Sequence, residues 1–544
     1  MNPIPIKYFT FMRIFSNLLK VCFILFIGCK NSDPQIMSPG DILSNTGAVK
    51  SLNPYDEENC VVYSLISTEN APGASIQRCV NTNEQKEGKG CFQINYTFGN
   101  NTSKNQTNYI SFGEHWGDYR PDLSFHPLGI SFWIKGEKNN IDGFRFVFIQ
   151  NTKASSNLQD RDYFVYYPQN ILNTDKWQQV VIPYSELKLY DGSSGAKLNL
   201  SRFIGYRLDI INSTNTSHQG EFLIDNMEQL TSYRPSYKTP LFSSIFIQLN
   251  DVYKDSNWDK DFEAFKAVGI DTWIIQYSHG FGGENGVSWY ENTNAPWIQK
   301  KYQIIDNMVK SAEKSGVKLI FGLFGGDYSK DHTDPAGYER LLDYNRVVID
   351  EVYENFSTSP CFAGWYITEE FHDGTFPSGW HEDPALSLLA NYLQNVAEYA
   401  KSKPKKFDVQ IAPALFRGFP ADLCGKWFEK IFQKTPDIDV LYLQDIGGRC
   451  LVDVDVDLPN YFEHIKKACD STGVQFGVDI ESFHSCWCPE VSYHAKNWDE
   501  LQEQLFVAGM YTKHITNFSY ATFKPGLDSF EGYKKYIQTN KLLQ

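Results

Sequence analysis

The stretch "FAGWYITEEF", residues 362–371, decides how the second half of the chain is interpreted. Its apolar run is typical of a buried strand, yet it ends on two adjacent glutamates, Glu369 and Glu370. Burying a lone ionised carboxylate costs several kcal/mol unless a partner or a pKa shift compensates. The strand therefore either ends in solvent or directs a carboxylate into a site.

Similar strand segments recur throughout residues 241–540, and helix-length amphipathic segments lie between most of them. The strand segments are SIFIQLND (244–251), DTWIIQYSHG (271–280), VKLIFGLFGG (317–326), FAGWYITEEF (362–371), FDVQIAPALF (407–416), VLYLQDIGG (440–448), VQFGVDIESF (474–483) and HITNFSYATF (514–523). The clearest helical segments are residues 258–269, 298–316, 388–403 and 458–473. This alternation predicts a (β/α)8 barrel. An open doubly wound sheet is the alternative, but it would carry a glycine-rich fingerprint after its first strand.

The alternation of side chains along each strand predicts which residues face the inside of the barrel. Polar side chains share one face of several strands, namely Gln248, Asn250, Gln276, Ser278, Tyr442 and Gln444. In the fourth strand Glu370 shares that kind of face with Thr368, whereas Glu369 shares the opposite face with Trp365. Because the loops at the carboxyl ends of barrel strands build active sites, we expect Glu370 to face a site and Glu369 to face the helices.

A second carboxylate, Glu481, ends the seventh predicted strand. The carboxyl ends of the fourth and seventh strands lie nearly opposite each other across a barrel mouth. Two carboxyl groups in that arrangement can flank a glycosidic bond, about 5 Å apart in retaining enzymes and roughly 6.5 to 9.5 Å apart in inverting ones. Glu370 and Glu481 are therefore the candidate catalytic residues.

Further candidates for substrate binding follow other strands at the same predicted end. They are Asn250, Gln276, His279, Trp289, Glu369, His372, Gln444 and Asp445. Histidine and amide groups can contact sugar hydroxyls, and Trp289 could offer a flat apolar face to a sugar ring. Asp445 could equally bind the backbone of its own Gly-Gly turn.

The segment of residues 53–229 has short β-rich runs separated by Asn, Gly and Ser clusters, which predicts an antiparallel β-sandwich. Its clearest strands are GISFWIKG (129–136), GFRFVFIQ (143–150), DYFVYYP (162–168), WQQVVIPYSEL (177–187), FIGYRLDII (203–211) and GEFLIDNMEQL (220–230). The segment resembles jelly-roll carbohydrate-binding modules. The aromatic candidates for sugar contact are Trp116, Tyr119, Tyr166 and Tyr167.

The start of the chain has a basic front, a short apolar core and a small residue before Cys29. This pattern resembles a bacterial lipoprotein signal over residues 1–29, with Met12 as an alternative initiator and Cys29 as the lipidated residue. A transmembrane anchor is the alternative, but the apolar run is far shorter than the roughly 20 residues that a span needs. Residues 30–52 are predicted to be a tether, and residues 230–240 a linker before the barrel.

The barrel motifs resemble the clan A glycoside hydrolases, whose catalytic glutamates end the fourth and seventh strands. This resemblance implies that Glu370 is the acid/base and Glu481 the nucleophile. An Asn that contacts the sugar 2-hydroxyl normally precedes the acid/base, and Glu369 occupies its place. The motifs "GWYITEE", "LQDIGG" and "DIESF" are similar to a poorly characterised bacterial family of glycosidase-like barrels, and this similarity implies that Gln444 and Asp445 position the substrate.

Composition narrows the function classes further. The net charge of −15 disfavours a nucleic-acid partner. We predict neither a cofactor nor a metal: "SCWC" with Cys486 and Cys488 is a weak metal motif, and "DVDVD" at residues 453–457 lacks the glycine and glutamate of a calcium loop, so a solvated edge is expected. Of the 11 cysteines, nine remain after Cys22 and Cys29, so at least one thiol is free.

The prediction is a lipid-anchored glycoside hydrolase of the bacterial cell envelope that acts on a polysaccharide or oligosaccharide. The resemblance implies that hydrolysis retains the anomeric configuration. Its partners would be a carbohydrate substrate and the membrane, and its oligomeric state is left open. The alternative is a non-catalytic glycan-binding lipoprotein with a degenerate barrel. A third class, a structural or adhesive surface protein, would not need polar faces inside the barrel.

Overall fold

A computed structural model gives the fold. It describes residues 38–55, 63–68, 70–100, 108–116, 121–151, 161–190, 195–212, 214, 216–282, 285–325, 334–372, 384–415, 420–448, 452–486 and 492–543. The predictions for the lipoprotein signal with Cys29, for Tyr119 and for Cys488 lie outside these residues. No helix in the described part is long and apolar enough to cross a membrane.

The first domain is an antiparallel β-sandwich, as predicted. Its strands are β1 (Val49–Asn53), β2 (Tyr63–Ser64), β3 (Ser75–Asn81), β4 (Cys91–Phe98), β5 (Tyr109–His115), β6 (Pro127–Lys135), β7 (Gly143–Asn151), β8 (Arg161–Tyr166), β9 (Gln178–Pro183), β10 (Lys188–Leu189), β11 (Phe203–Ile211) and β12 (His218–Thr231). One sheet has the order β3-β4-β12-β6-β9 with β1 on β12, and the other β10-β8-β7-β11-β5-β2. Alternate residues of both sheets meet in an aromatic core that includes Phe92, Phe132 and Phe146.

The predicted tether differs from the structure, because its described part belongs to the sandwich. Helix α1 (Pro39–Asn45) begins at a Ser38 cap, where the side chains of Ser38 and Asp41 bond each other's backbone N–H groups. Ile42 is buried beside Val181 and Leu230. Strand β1 then pairs with β12, so the described residues from Ser38 onward are folded against the domain.

The second domain is a closed barrel of eight parallel strands, which confirms the predicted fold. The barrel strands are β13 (Ser244–Ile247), β14 (Thr272–Ile275), β18 (Lys318–Gly322), β20 (Phe362–Ile367), β21 (Asp408–Ile411), β22 (Val440–Gln444), β23 (Gln475–Glu481) and β26 (Ile515–Phe518). The helices are α2 (Trp258–Lys266), α3 (Ile304–Ser315), α4 (Pro335–Phe356), α5 (Pro384–Lys401), α6 (Ala421–Lys434), α7 (Asp457–Thr472), α8 (Trp498–Tyr511) and α9 (Asp528–Asn540). Each of the eight predicted strand segments contains one barrel strand.

Short additional strands form two small sheets outside the closed barrel. A four-stranded sheet consists of β15 (His279–Gly282), β16 (Asn285–Ser288), β17 (Ile298–Lys301) and β19 (Phe324–Gly325). A separate hairpin consists of β24 (Phe483–Cys486) and β25 (Ser492–Ala495). The helix predicted for residues 298–316 is therefore wrong at its start, where "IQKK" pairs with β16. Among the described residues, short 3-10 helices lie at Tyr184–Glu186 and Leu200–Arg202 in the sandwich and at Asp251–Tyr253 in the barrel.

The inside of the barrel is closed by a layer of apolar side chains. This layer consists of Phe246, Ile274, Ile320, Tyr366, Ala412, Val440 and Tyr442. Trp273 and Trp365 are buried instead in the larger cluster between the strands and the helices. Strand alternation therefore places the two faces as the sequence predicted, and the residues that follow the layer along each strand face the carboxyl end of the barrel.

The sandwich packs against the barrel at the beginnings of α6 and α7. Lys50 of β1 forms a buried ion pair with Asp457. Asp122 of the sandwich accepts a hydrogen bond from the backbone N–H of Ala421 at 3.0 Å. Asp453 accepts hydrogen bonds from the N–H groups of Asp455 and Val456. The interpretation of residues 453–457 as a solvated edge is therefore wrong, because they form part of the domain interface.

Five cysteines in the described part form no disulfide, namely Cys79, Cys91, Cys361, Cys424 and Cys469. Four of them are buried in the core of one domain or the other. This agrees with the odd cysteine count, and these five thiols act as small apolar core residues or, for Cys79, as an exposed side chain.

Candidate active site

Glu370 lies just beyond the carboxyl end of β20 and is partly exposed. The side-chain amide of Gln444, the last residue of β22, donates a hydrogen bond to Glu370 Oε1 at 2.9 Å and another to the carbonyl of Ala412 at 2.8 Å. Gln444 is thereby fixed to two neighbouring strands. It orients the Glu370 carboxylate at the inner rim of the barrel.

Glu481 is the last residue of β23, and its side chain is buried, with 4% of the residue exposed. Its Oε2 accepts a hydrogen bond from the backbone N–H of Gly448 at 2.7 Å. Burial and the negative charge of Asp445 raise the pKa of Glu481 to about 8, although the Gly448 N–H and Lys496 act in the opposite direction. A carboxyl group with this pKa is mostly protonated at neutral pH.

Gly448 has to be a glycine for the contact with Glu481 to form. A Cβ at this position would lie 2.8 Å from Glu481 Oε2 and 2.6 Å from the carbonyl oxygen of Phe483. Both distances are too short for a carbon atom. The "GG" of "LQDIGG" is therefore explained by the close approach of the backbone to the carboxylate.

Asp445 lies beneath this contact and is buried. Its Oδ1 accepts hydrogen bonds from the backbone N–H groups of Gly447 and Glu481, both at 3.1 Å, and its other oxygen accepts one from the side chain of Gln504. Burial is the main cause that raises the pKa of Asp445. These contacts show Asp445 supporting the turn and the end of β23, the alternative that the sequence left open, rather than lying at the surface of the site.

Asp479, two residues before Glu481 on β23, is a buried carboxyl group that shares the inner face of the strand with Glu481. It is 1% exposed, and its Oδ1 has no hydrogen-bond partner among the described residues. Burial raises the pKa of Asp479 well above its usual range, and the charges of Asp445, Glu481 and Glu370 raise it further. Four carboxyl groups thus act on one another at this end of the barrel.

Sequence analysis missed two residues of this cluster, Lys496 and Gln504. Lys496 precedes α8, and its ammonium group donates hydrogen bonds to the carbonyl of Gly447 at 2.9 Å and to Gln504 Oε1 at 2.6 Å. In the sequence, "HAKNWDE" has the polar character of a solvated helix start. The signal that could have pointed to Gln504 is its position on the apolar face of α8, between Leu501 and Leu505.

Glu369 lies apart from Glu370. It is buried, and its charge raises the pKa of Tyr338 on α4, after the larger effect of burial. Glu369 therefore faces the helix layer, as strand alternation predicted. Its inclusion among the substrate-binding candidates is corrected, because the side chain lies on the opposite face of the strand from the site.

His279 and Trp289 also differ from their predicted roles. His279 is fully buried, stacks on Tyr290 with ring centroids 4.9 Å apart, and has its Nε2 at 3.6 Å from Glu351 Oε2. Trp289 is buried and stacks on Tyr302 at 5.1 Å. Both residues pack the sheet that covers α3 and α4, so neither offers a surface to a sugar.

Three other candidates remain near the carboxyl ends of their strands. Asn250 is exposed, and its side-chain oxygen accepts a hydrogen bond from the N–H of Val252 at 3.0 Å, which starts the 3-10 helix. Gln276 is partly exposed, but its Oε1 is buried without a hydrogen-bond partner among the described residues. His372 is partly exposed and bridges to Ala414 through the backbone. Their roles in substrate binding stay predictions.

Comparison with known proteins gives the family but no activity. Residues 242–528 match the family described as a domain of unknown function, DUF4434. The chain belongs to this family. No curated protein matches the sequence.

Several solved structures are similar to parts of the chain. A protein from Bacteroides thetaiotaomicron described as a "putative alpha-L-fucosidase" is 21% identical over 57% of this chain and 96% of its own, with a TM-score of 0.45. Two modules of an endo-1,4-beta-D-xylanase from Clostridium thermocellum are 9% identical over 85% of this chain and 93% of their own, with a TM-score of 0.32. A family 11 carbohydrate-binding module from the same organism is 20% identical over 35% and 98%, with a TM-score of 0.25. At these scores the likenesses carry no argument about function.

Proposed function

We propose that the barrel is a glycoside hydrolase domain in which Glu370 and Glu481 are the two catalytic carboxyl groups. The observation that supports this most is that their environments differ at one end of one barrel. Glu370 is partly exposed and accepts a hydrogen bond from Gln444, whereas Glu481 is buried among other carboxyl groups. Two carboxyl groups in unlike environments at one site are typical of glycosidases.

Retaining hydrolysis assigns one carboxyl group to attack the anomeric carbon and the other to protonate the leaving oxygen. We propose Glu481 as the nucleophile and Glu370 as the acid/base, as the strand positions suggest. Glu481 attacks only as a carboxylate, so its pKa of about 8 means that this assignment requires Glu481 to ionise before it attacks. The Gly448 N–H and the ammonium group of Lys496 are the groups that stabilise the ionised form.

The experiment is a digestion of a glycan panel by the wild type and by Glu481→Gln and Glu370→Gln. Glu354→Gln, which changes an exposed glutamate on α4, is the matched control for expression and folding. The wild type and the control should release the same products, and Glu481→Gln should release none. If Glu481→Gln retains wild-type turnover, the catalytic proposal fails.

The stereochemistry of the product tests the mechanism separately. Proton NMR in the first minutes of hydrolysis should show the anomeric configuration of the substrate retained. An inverted product would make Glu481 or Glu370 a base that acts through water, and the two carboxyl groups would then have to be more widely spaced.

We further propose that the sandwich binds the same glycan through the outer face of the β7–β8–β11 sheet. Arg145 lies under the rings of Tyr109 and Tyr190, at 4.7 and 4.8 Å from the ring centroids, and Tyr190 and Tyr167 are exposed. Exposed tyrosines beside a guanidinium group offer apolar area and polar edges to a sugar. Tyr190→Ala in the full chain should weaken retention in polysaccharide affinity gels, while hydrolysis of a small substrate should not change.

The envelope location is proposed from the sequence pattern around Cys29. Metabolic labelling with a radioactive fatty acid in a bacterial host should label the wild type. Cys29→Ala should carry no label and should leave the membrane fraction. Labelling of Cys29→Ala at the wild-type level would contradict the anchor.

A further inference from the structure

Lys496 is a buried cation in a cluster that is otherwise rich in carboxyl groups. It lies between β25 and α8, and only 5% of the residue is exposed. A buried ammonium group is costly unless charges of opposite sign and hydrogen bonds compensate. The structure provides both, which makes the position of Lys496 informative.

The hydrogen bonds of Lys496 connect the loop after β22 with α8. Its Nζ donates to the carbonyl of Gly447 and to the side chain of Gln504. The side-chain amide of Gln504 in turn donates a hydrogen bond to Asp445, and Asp445 accepts another from the backbone N–H of Glu481. The next residue of the loop, Gly448, donates its N–H to the Glu481 carboxylate. Lys496 is thus joined to Glu481 through both the loop and Asp445.

The packing around Gly447 shows that the loop is shaped to receive these two side chains. A Cβ at Gly447 would lie 2.3 Å from the Gln504 amide nitrogen and 3.3 Å from Lys496 Nζ. Any side chain at this position would therefore push Gln504 away from Asp445. The close approach is possible because the residue is a glycine.

Lys496 and the neighbouring carboxyl groups shift one another's pKa values. Burial lowers the pKa of Lys496, whereas Asp445, Glu481 and Glu500 raise it. Lys496 in turn lowers the pKa values of Asp445 and Glu481. Asp445 and Glu370 raise the pKa of Glu481, and the buried carboxyl group of Asp479 also interacts with Glu481. Lys496 therefore opposes the effect of its carboxylate neighbours.

We propose that Lys496 is a positioning residue that holds the loop of residues 445–448 against α8 and supplies the positive charge opposite Asp445 and Glu481. Its catalytic meaning rests on the proposed function. Without the ammonium group, Glu481 would have to ionise beside Asp445 with no compensating charge from Lys496. The loop would also lose the hydrogen bond that the Gly447 carbonyl accepts from Lys496.

The first test compares the pH dependence of kcat/KM in the wild type, Lys496→Met and the surface control Lys513→Met. Lys496 lowers the pKa of Glu481, and a nearby opposite charge shifts a carboxyl pKa by about 1 to 3 units. The acid limb of the pH profile reports the ionisation of Glu481. Lys496→Met should therefore move this limb by at least about one unit towards higher pH, and Lys513→Met should leave it in place. A lower rate at every pH with an unmoved limb would show a merely structural role and would overturn the proposal.

The second test does not depend on activity. In protein labelled with ¹⁵N-lysine, the ammonium signal that is absent from Lys496→Met identifies Lys496. Its titration should move to lower pH in Glu481→Gln and in Asp445→Asn, because each variant removes a negative charge beside the ammonium group. Should Lys496→Met fail to fold, Lys496→Arg identifies the signal instead.

The two tests separate the failure of this inference from the failure of the proposed function. A wild type that hydrolyses no glycan, with Lys496 titration that still responds to Glu481→Gln, would remove the hydrolase proposal and keep the pairing. Identical Lys496 titration in the wild type and in both carboxyl variants would remove the pairing, whatever the activity.

Discussion

Asp209 in the sandwich and Asp479 in the barrel are both buried, but the charges around them have opposite signs. In the sandwich, Asp209 accepts hydrogen bonds from Arg145 at 2.8 Å, Arg207 at 2.6 Å and Ser111 at 2.7 Å. In the barrel, Asp479 has an oxygen without a hydrogen-bond partner among the described residues and lies near three further carboxyl groups. The first is compensated by cations and the second is crowded by like charges.

This difference separates a structural charge from a functional one. A buried carboxylate with two guanidinium partners fixes the outer face of its sheet, and the two cations compensate its charge. Several buried carboxyl groups with one lysine lower the stability of the fold, and such clusters concentrate at active sites. The contrast leads us to place the chemistry in the barrel and to test both clusters by single substitutions.

The largest effect is expected at the catalytic carboxyl groups. Glu481→Gln should abolish turnover on every substrate, because the nucleophile is lost. Glu370→Gln should lose about 100- to 10,000-fold on natural glycosides, the range that general acid catalysis supplies. With a good aryl leaving group its first step should be spared, since such a group departs without a proton. Initial rates on both substrate types check this, and equal losses for the two variants on both would contradict the assigned roles.

The next largest effect is expected in the sandwich. Asp209→Asn removes the carboxylate between Arg145 and Arg207 and should lower the free energy of unfolding by about 3 to 5 kcal/mol, the cost of breaking a buried pair. Urea denaturation of the full chain measures this. Asp470→Asn, at an exposed pair with Lys466 on α7, is the control and should change stability by less than about 1 kcal/mol.

Much of the fold follows from sequence pattern, because hydrophobic alternation is local. All eight barrel strands lie within the predicted segments, and the faces of Glu369 and Glu370 follow from a period of two. The pairing of Lys496 with Asp445 and Glu481 does not follow, since it joins residues from two loops and the end of a strand. The burial of His279 was missed for a related reason: the sheet that covers it combines β15 with β16, β17 and β19, which only the tertiary structure brings together.

The same argument explains why the tether was assigned wrongly. The segment of residues 38–53 is polar overall, and its few apolar residues do not form a long period. Ile42, Ala48 and Leu52 are nevertheless buried, each against a different part of the fold. Lys50 is buried as well, because its partner Asp457 lies in the barrel. A contact between domains leaves no pattern within either segment.

A smaller effect, distributed over pH, is expected from Glu481. Its pKa is raised from 4.5 to about 8 on folding, so the folded state binds more protons than the unfolded state between these values. The contribution of Glu481 to the stability of the folded state should be greatest below pH 4.5 and should be lost as the pH rises towards 8. Glu481→Gln cannot ionise and should flatten this slope. Thermal unfolding from pH 5 to 9 measures it, with Glu354→Gln as the variant that should keep the wild-type slope.

The smallest effect should come from Asp479, and it should have the opposite sign to that of Asp209. Burial and three neighbouring carboxyl groups raise the pKa of Asp479, so at pH 7 folding either binds a proton or places another negative charge in the cluster. Both cost free energy, and Asp479→Asn avoids both while keeping nearly the same shape. The variant should therefore unfold at a higher urea concentration than the wild type at pH 7, and the gain should shrink as the pH falls towards the usual pKa of an aspartate. Urea titrations at pH 7 and pH 4 supply the comparison. A loss of stability at pH 7 would mean that Asp479 is compensated after all, as Asp209 is, and the distinction between the two clusters would fail.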